Sequence, residues 1–494
     1  MAKKKIRTPE KSDTPRQDAF EAAWEKFKPL VPEDELSAIE ASFSRPLERA
    51  FRINPQKITA QDVETIACRY GWQTDPVVFC PEGYKIRAGE ISPGQTVEHR
   101  TGQYYIQDSA SMLPGVLFSS EIMAQRPLIL DMAASPGGKT THLCARSGDK
   151  GLILANDSSP SRIGALKNVL KKWGVLSHLV TAFPGENFGN WYPETFDLIL
   201  LDAPCSMQSL VSIESHPLRP ITEREEEALA QRQTALLDSA LKALKPGGQV
   251  VYSTCTLSVQ EDEAVVNQMI KRYGNLIQVE NANKLIPHPA PGVTRAGDQI
   301  FDDSLAGTLR FWPHRYDTAG FYAALIWKKE AFGTSNTELP NRAWEKSGFS
   351  ELGRSSRQDI LDWFADQFHC ELETCLTESE AVLWQRGNEV WALPERYLST
   401  FSDIPCKSAG MRLATAASGG GWIPDDDWVA RFFPVFTNQL FRLDDGQTAA
   451  WLRGEDLRLE SGYPKGSILL MIDDFGVFLG CGRVGGEKIR NFNK

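Results

Sequence analysis

Residues 247–258 read GGQVVYSTCTLS. Pro246 and Gly247 end the helical pattern ahead of them. Val250, Val251 and Tyr252 are the β-branched and aromatic residues that a buried strand favours. Ser253, Thr254 and Cys255 arrive where that strand runs out. In an open parallel sheet, ligands sit beyond the carboxyl ends of the strands, so a parallel sheet puts Cys255 where chemistry occurs. The surrounding pattern supports such a sheet. Strands are predicted at 128–132, 152–156, 179–183, 196–202 and 249–255, with a last one at 321–328. Helices are predicted at 134–146, 160–173, 223–245 and 261–273. Strands separated by helix-length segments imply an α/β, doubly wound parallel sheet with right-handed crossovers.

A chain of 494 residues implies two to four domains. No apolar run is long enough to span a bilayer. Nine cysteines lie scattered, with no CxxC pair or Cys/His zinc spacing. The odd count argues against a disulfide framework and for reduced thiols in a cytoplasm, and no metal site is expected. The net charge of −10 does not favour nucleic-acid binding, but binding needs only a local basic surface. Residues 1–18 are expected to be a disordered basic tail with no secretory signal. Lys3, Lys4, Lys5, Arg7, Lys11 and Arg16 form either such a surface or simply a solvated tail.

Three further stretches sit at the same edge of the sheet as Cys255. In LILDMAASPGGKTTHL (128–143), a strand ends at Asp131 and a small, glycine-rich turn starts a helix. Free N–H groups at the helix start hold an anion, and a carboxylate such as that of S-adenosylmethionine suits them. The bland reading is a tight turn without a ligand. Asp157 ends the next strand, roughly 20 positions on, where an acid can accept hydrogen bonds from ribose hydroxyls; as a helix cap it needs no ligand. In FDLILLDAPCS (196–206), Asp202 and Cys205 follow an apolar strand. Taken singly they read as a capping Asp and a buried Cys. Two cysteines at the ends of two neighbouring strands, without metal partners, suggest thiol chemistry at one site.

Together, in this order, these motifs resemble the RNA cytosine-C5 methyltransferases of the Nop/Sun type, most closely the bacterial ribosomal small-subunit methyltransferase F branch. The cofactor motif is matched by AASPGGKT (133–140), the acidic ribose contact by Asp157, DAPCS by Asp202–Ser206, and STC by Ser253–Cys255. YYIQDSASMLP (104–114), FRLDDGQTAAWLRGED (441–456) and GCGRVGGEKIRN (480–491) are similar too, the last two to a PUA-type RNA-binding end. The resemblance implies a Rossmann-like methyltransferase fold and S-adenosyl-L-methionine as cofactor. Ala133, Ala134, Ser135, Pro136, Gly137, Gly138, Lys139, Asp157 and Asp202 would bind that cofactor. Cys255 would be the nucleophile that adds to cytosine C6, and Cys205 would assist release of product. The domains expected are an N-terminal RNA-binding domain over 19–105, the methyltransferase domain over 106–330, a linker and small α/β segment over 331–400, and a PUA-like domain over 401–494. The substrate implied is small-subunit (16S) ribosomal RNA or the subunit itself, acted on by a cytoplasmic monomer. Transfer RNA is the alternative substrate, and a non-catalytic RNA-binding or ribosome-assembly protein is the alternative of another class.

Two departures stand out. The family continues PCS with Gly-x-Gly, whereas here Met207 and Ser209 hold those places. An adenine-contacting Asp after the third strand is replaced by Pro184, which offers neither a side-chain acceptor nor an N–H. The adenine contact is expected either to be weaker there or to be supplied by Glu186. Residues 210–220 (LVSIESHPLRP) also lack the basic run expected after the loop.

Overall fold

The structure is a computed structural model. It describes residues 14–492 except 44, 210–218, 334–338, 343, 418–419 and 460–461. The stretch 210–218, most of the segment noted above for its missing basic run, lies outside the described residues.

The central domain is a nine-stranded sheet. Its strands in chain order are β1 (Leu128–Asp131), β2 (Leu152–Asn156), β3 (His178–Thr181), β4 (Phe196–Asp202), β5 (Leu244–Thr254), β6 (Ile277–Val279), β7 (Leu309–Phe311), β8 (Phe321–Lys328) and β9 (Ser408–Ala409). They lie in the order β6-β8-β5-β4-β1-β2-β3-β9, with β7 paired to β8. The run from β5 through β3 is parallel. Helices α1 (Gly138–Arg146), α2 (Ile163–Trp173), α3 (Glu223–Ala243) and α4 (Glu263–Tyr273) join these strands. LILD and LILAN are buried along their whole length, as strands covered on both faces must be. Successive side chains feed two separate cores, one on each face of the sheet.

Chain order leaves β1 toward β2 and β3 on one side, then returns to β4 and β5 on the other. The crevice at the carboxyl end of β1 is therefore the topological switch point, where such sheets take their ligands. Two local expectations change. β8 runs antiparallel to β5, inserted between β5 and β6. The helix predicted to reach 245 ends at Ala243, and β5 starts directly at Leu244. Gly247, at φ +79°, absorbs the register shift between Phe196 and Leu198 of β4 instead of ending the helix.

The stretch that follows β5 is anchored from behind. Arg310 is fully buried; its Nε donates to Glu263 Oε1 at 3.1 Å and its Nη1 to the Leu257 carbonyl at 2.7 Å. Asp262 lies 3.6 Å from Arg310 Nη2 and accepts a 2.6 Å bond from Thr254 Oγ1. Burial above all, with the charges of Glu263 and Glu261 adding to it, pushes Asp262 well above the usual carboxylate range, and Arg310 and Thr254 work against it. Taking charges out of water is costly unless each has a partner, and the guanidinium supplies partners for two acids at once.

The flanking regions depart from the expected boundaries. A helix spans Thr14–Phe27, inside the stretch read as a disordered tail over 1–18; Pro15 in its first turn starts a helix without losing a needed N–H. Together with a helix at Leu36–Phe43, it places Trp24, Phe27, Ile39 and Phe43 on Leu257 and Trp312, directly behind Cys255. A four-stranded antiparallel sheet then runs from Arg49 to Ile106 and delivers Tyr104–Ile106 to the crevice. The boundary drawn at 400 cuts through a five-stranded sheet that extends from Ser350–Glu351 to Trp422–Pro424. That sheet is held by pairs such as Trp384 with Trp391, and Val390 with Ala414. A separate five-stranded sheet, between Leu440 and Asn491, ends the chain. No described helix is long and apolar enough to cross a membrane.

Replacing Arg310 with leucine strands two buried acids. The domain is then expected to lose about 3–5 kcal/mol, seen as a lower midpoint of thermal unfolding. An unchanged midpoint would mean that the anchor carries no weight.

Candidate active site

The register of β4 and β5 sets Asp202 opposite Ser253. Ser253 Oγ donates to Asp202 Oδ1 at 2.8 Å, and Lys139 Nζ donates to Asp202 Oδ2 at 2.8 Å. Lys139 reaches across from the first turn of α1. Burial opposes its charge, but Asp202 outweighs burial and holds the ammonium protonated above its ordinary range. Cys255 and Asp131 act on it in the same sense.

Beyond Asp202 and Ser253 the two strands run into the cysteine loops, and the sulfurs of Cys205 and Cys255 lie 3.3 Å apart. Both are free thiols, partly accessible. The bond to Cys255, with burial added, holds Cys205 well above the ordinary thiol range, so Cys205 keeps its proton. A persistent S–H beside a second sulfur is a donor aimed at that sulfur.

A cavity of about 190 Å³ opens at Lys139 and Asp202, and neither cysteine lines it. Ala133, Ala134, Ser135, Pro136, Gly138, Lys139 and Asp202 line it, opposite Tyr105, Ile106, Gln107 and Ser111. Its floor needs glycines. Gly137 has φ +116°, and a Cβ there would come within 2.9 Å of Val169; a Cβ on Gly138 would meet the Tyr105 ring at 2.6 Å. The backbone of the turn is thus left open to the cavity at the start of a helix, as an anionic ligand group requires. The donor set and the open turn fit the carboxylate end of S-adenosylmethionine.

Gly137 is tucked under α2 and does not line the cavity. Asp157 also stands outside it, with its side chain 3 % exposed. Its oxygens accept from the backbone N–H groups of Ser135 at 3.1 Å and Ser159 at 2.9 Å, with Arg162 3.4 Å away. It caps no helix, because α2 starts only after Arg162. In this geometry its carboxylate braces the turn. Asp131, beneath the turn, accepts from Thr140 at 2.6 Å, and its other oxygen has no partner. Burial, above all, raises its pKa to about 7.

The departures acquire a structural form. Met207 has φ +57°, a conformation that costs glycine nothing and other residues about 1–2 kcal/mol. The loop keeps a glycine-like backbone without the glycine. Ser209 is fully buried against Gly320, and its hydroxyl has no partner among the described residues. Pro184 is exposed at the end of β3, and Glu186 is engaged by Arg232 at 3.1 Å.

Residues that motif reading passed over hold the cysteine loops. Glu261 accepts from the Ser206 N–H at 2.9 Å and from Gln233 Nε2 at 2.8 Å, while Gln233 also reaches the Pro204 carbonyl at 2.9 Å. Ser206 Oγ bonds Thr256 Oγ1 at 3.1 Å, tying one loop to the other. The run Glu261-Asp262-Glu263 looks like the solvated start of a helix, yet all three are fully buried. Tyr105, Gln107 and Ser111 carried a signal, the YYIQDSAS stretch, but no assigned chemistry.

Two outcomes follow from this geometry. Met207→Gly relieves the left-handed backbone and is expected to stabilise the protein by up to about 1 kcal/mol, measured as a rise in thermal midpoint; a fall would show that Met207 contributes packing worth more than the strain. For Asp131 the folded pKa lies above the unfolded one, so the unfolded state loses its proton first and stability drains away as pH rises from about 4 to about 7. The stability of Asp131→Asn minus that of the parent should therefore climb across that window and level off above it. A difference that is flat between pH 4 and 7 would contradict the raised pKa.

The comparisons agree with this architecture. Residues 123–327 match the model for 16S rRNA methyltransferase RsmB/F, residues 21–109 the N-terminal domain of 16S rRNA methyltransferase RsmF, and residues 438–493 the methyltransferase RsmF PUA domain. The chain is 33% identical over 475 residues to the ribosomal RNA small subunit methyltransferase F of Erwinia tasmaniensis, covering 94% of each. It is 34% identical over 452 residues to the protein of that name from Shewanella loihica, covering 91% of this chain and 88% of the other. Among solved structures, a methyltransferase homolog from Pyrococcus horikoshii superposes with a TM-score of 0.53 at 29% identity, over 63% of this chain and 93% of its own. With a Rossmann-like methyltransferase sheet between an N-terminal RsmF domain and a C-terminal PUA-like domain, the chain belongs to the 16S rRNA methyltransferase RsmB/F family, in its F branch.

Proposed function

We propose that the protein methylates C5 of a cytosine in small-subunit (16S) ribosomal RNA, with S-adenosyl-L-methionine as methyl donor. The observation that carries this reading is the 3.3 Å contact between Cys205 and Cys255, just beyond the Asp202–Ser253 pair whose aspartate lines the cavity. Amino-group methylation has no use for a thiol pair, and C5 of cytosine has. That carbon is a poor nucleophile until a thiolate adds to C6 and makes it enamine-like. Bound in the turn at 133–139, with Asp202 alongside, the cofactor would supply an electrophilic methyl group.

Cys255 is the attacking group. Its sulfur forms the bond to C6 as the C5–C6 double bond opens, and C5 then carries the incoming methyl. Loss of the C5 proton restores the double bond and expels the sulfur, and Cys205, once it has given its own proton to Cys255, is the base that takes up the C5 proton. Cys205 assists that release: its retained proton donates to the departing Cys255 sulfur. Lys139 keeps Asp202 fixed at the cofactor's edge and adds a positive charge near Cys255. A base inside a duplex has to be flipped out to reach the pair. The names of the relatives support ribosomal RNA as the substrate over transfer RNA.

Cys255→Ala is expected to abolish transfer from labelled S-adenosylmethionine to unmodified small-subunit RNA. Cys205→Ala should instead accumulate a covalent protein–RNA adduct, visible as a shifted band on a denaturing gel. Exchanged phenotypes would reverse the two roles, and no transfer to any RNA by the intact protein would leave only a non-catalytic RNA-binding reading. Bisulfite mapping of cellular RNA with and without the protein locates the cytosine.

A further inference from the structure

A second cavity, of about 300 Å³, lies at the far edge of the central sheet, where α2 and β3 meet the five-stranded sheet that begins at Ser350. The cysteines sit at the ends of β4 and β5. β3 is three strands from β4, or about 14 Å at the usual strand spacing. The cavity is therefore outside the site already described.

Its charge runs against that of the chain. Six basic side chains and two acidic ones line it, in a protein whose net charge is −10. The acids are neutralised locally: Asp427 by Lys171 at 3.0 Å, Asp425 by Arg412 at 2.6 Å. Among the described residues, Lys167, Arg386 and Lys407 form no close ion pair, although Arg386 is near enough to Glu389 to favour its charged form, and all three are exposed. Half-buried Trp391 also lines the cavity, edge-to-face with Phe349 at 5.9 Å between ring centroids; Phe349 itself is occupied, with Trp344 stacked at 6.0 Å and Arg386 over it at 5.6 Å, so Trp391 is the ring left to meet a ligand. Unpaired cations around an accessible aromatic face are what single-stranded nucleic acid uses: phosphates meet the cations and a base stacks on the ring. The volume falls in the range of pockets that enclose a small planar ligand.

We propose that this cavity binds one unpaired nucleotide of the RNA substrate. Lys167, Arg386 and Lys407 meet its phosphates, and Trp391 stacks its base. The site rests on the reading of RNA as substrate. It gives the protein a hold on the RNA that is separate from the methylated base.

The test uses the full-length protein with unmodified small-subunit ribosomal RNA and, separately, uridine 5′-monophosphate. Lys167→Glu, Arg386→Glu and Lys407→Glu combined should weaken RNA binding about tenfold or more. They should also lower the slope of log affinity against log salt by about 2. The KM for RNA should rise while kcat and the affinity for S-adenosylmethionine stay unchanged. Trp391→Phe should keep most of the RNA affinity that Trp391→Ala loses, which separates stacking from a folding defect. If the intact protein binds and methylates RNA but the triple variant matches it in affinity and salt slope, the proposal is overturned while the proposed function stands. It is also overturned if the variant loses uridine 5′-monophosphate alone and keeps RNA, since the cavity would then be a small-molecule site. If the intact protein binds no ribosomal RNA at all, the substrate reading falls and this site falls with it.

Discussion

Two parallel strands in register, β4 and β5, set the position of everything chemical in this molecule. Their pairing puts Asp202 opposite Ser253. Three residues beyond one and two beyond the other, it brings Cys205 and Cys255 into contact. The strands themselves have little latitude. Both faces are buried, so a one-residue slip would drive the apolar residues of each face into the wrong layer. The thiol pair is therefore held by the packing of the whole sheet and not by the loops alone.

The loops are nonetheless stiffened, and polar groups do it from inside. Glu261 grips the loop of Cys205, while Asp262, Glu263 and Arg310 grip the stretch after Cys255. A buried network of this kind earns little net stability, since desolvation offsets most of the attraction. What it secures is position. A reaction in which one sulfur attacks and the other attends its departure tolerates little drift between them. The N-terminal helices close the arrangement from behind by packing on Leu257 and Trp312.

The alternating apolar strands made the central sheet legible from sequence, along with the four motifs at its carboxyl edge, because a strand buried on both faces leaves an unbroken apolar run such as the LILL of residues 198–201. The antiparallel insertion of β8 was not legible, since a buried strand reads the same in either direction. The gripping residues were hidden for a different reason. Glu261, Asp262 and Glu263 look like a solvated run until Arg310, 47 positions beyond Glu263, is seen to bury with them. Asp157 carried the right signal for a ligand contact, yet its geometry is that of a brace for the turn. The boundary at 400 falls inside a sheet because Glu389–Pro394 and Met411–Ala416 pair across it, a long-range pairing that leaves no mark in the local sequence. Met207 was visible as a departure, but its left-handed backbone was not.

The central claim is that Cys255, and not its neighbour, bonds to C6 of the target cytosine. Small-subunit RNA made with 5-fluorocytidine tests it most directly, because fluorine at C5 cannot leave as a proton does and the adduct persists. After incubation with S-adenosylmethionine, proteolysis and mass spectrometry should find the nucleotide on the peptide that contains Cys255. An adduct on Cys205, or a methylated product without any adduct, would contradict the account.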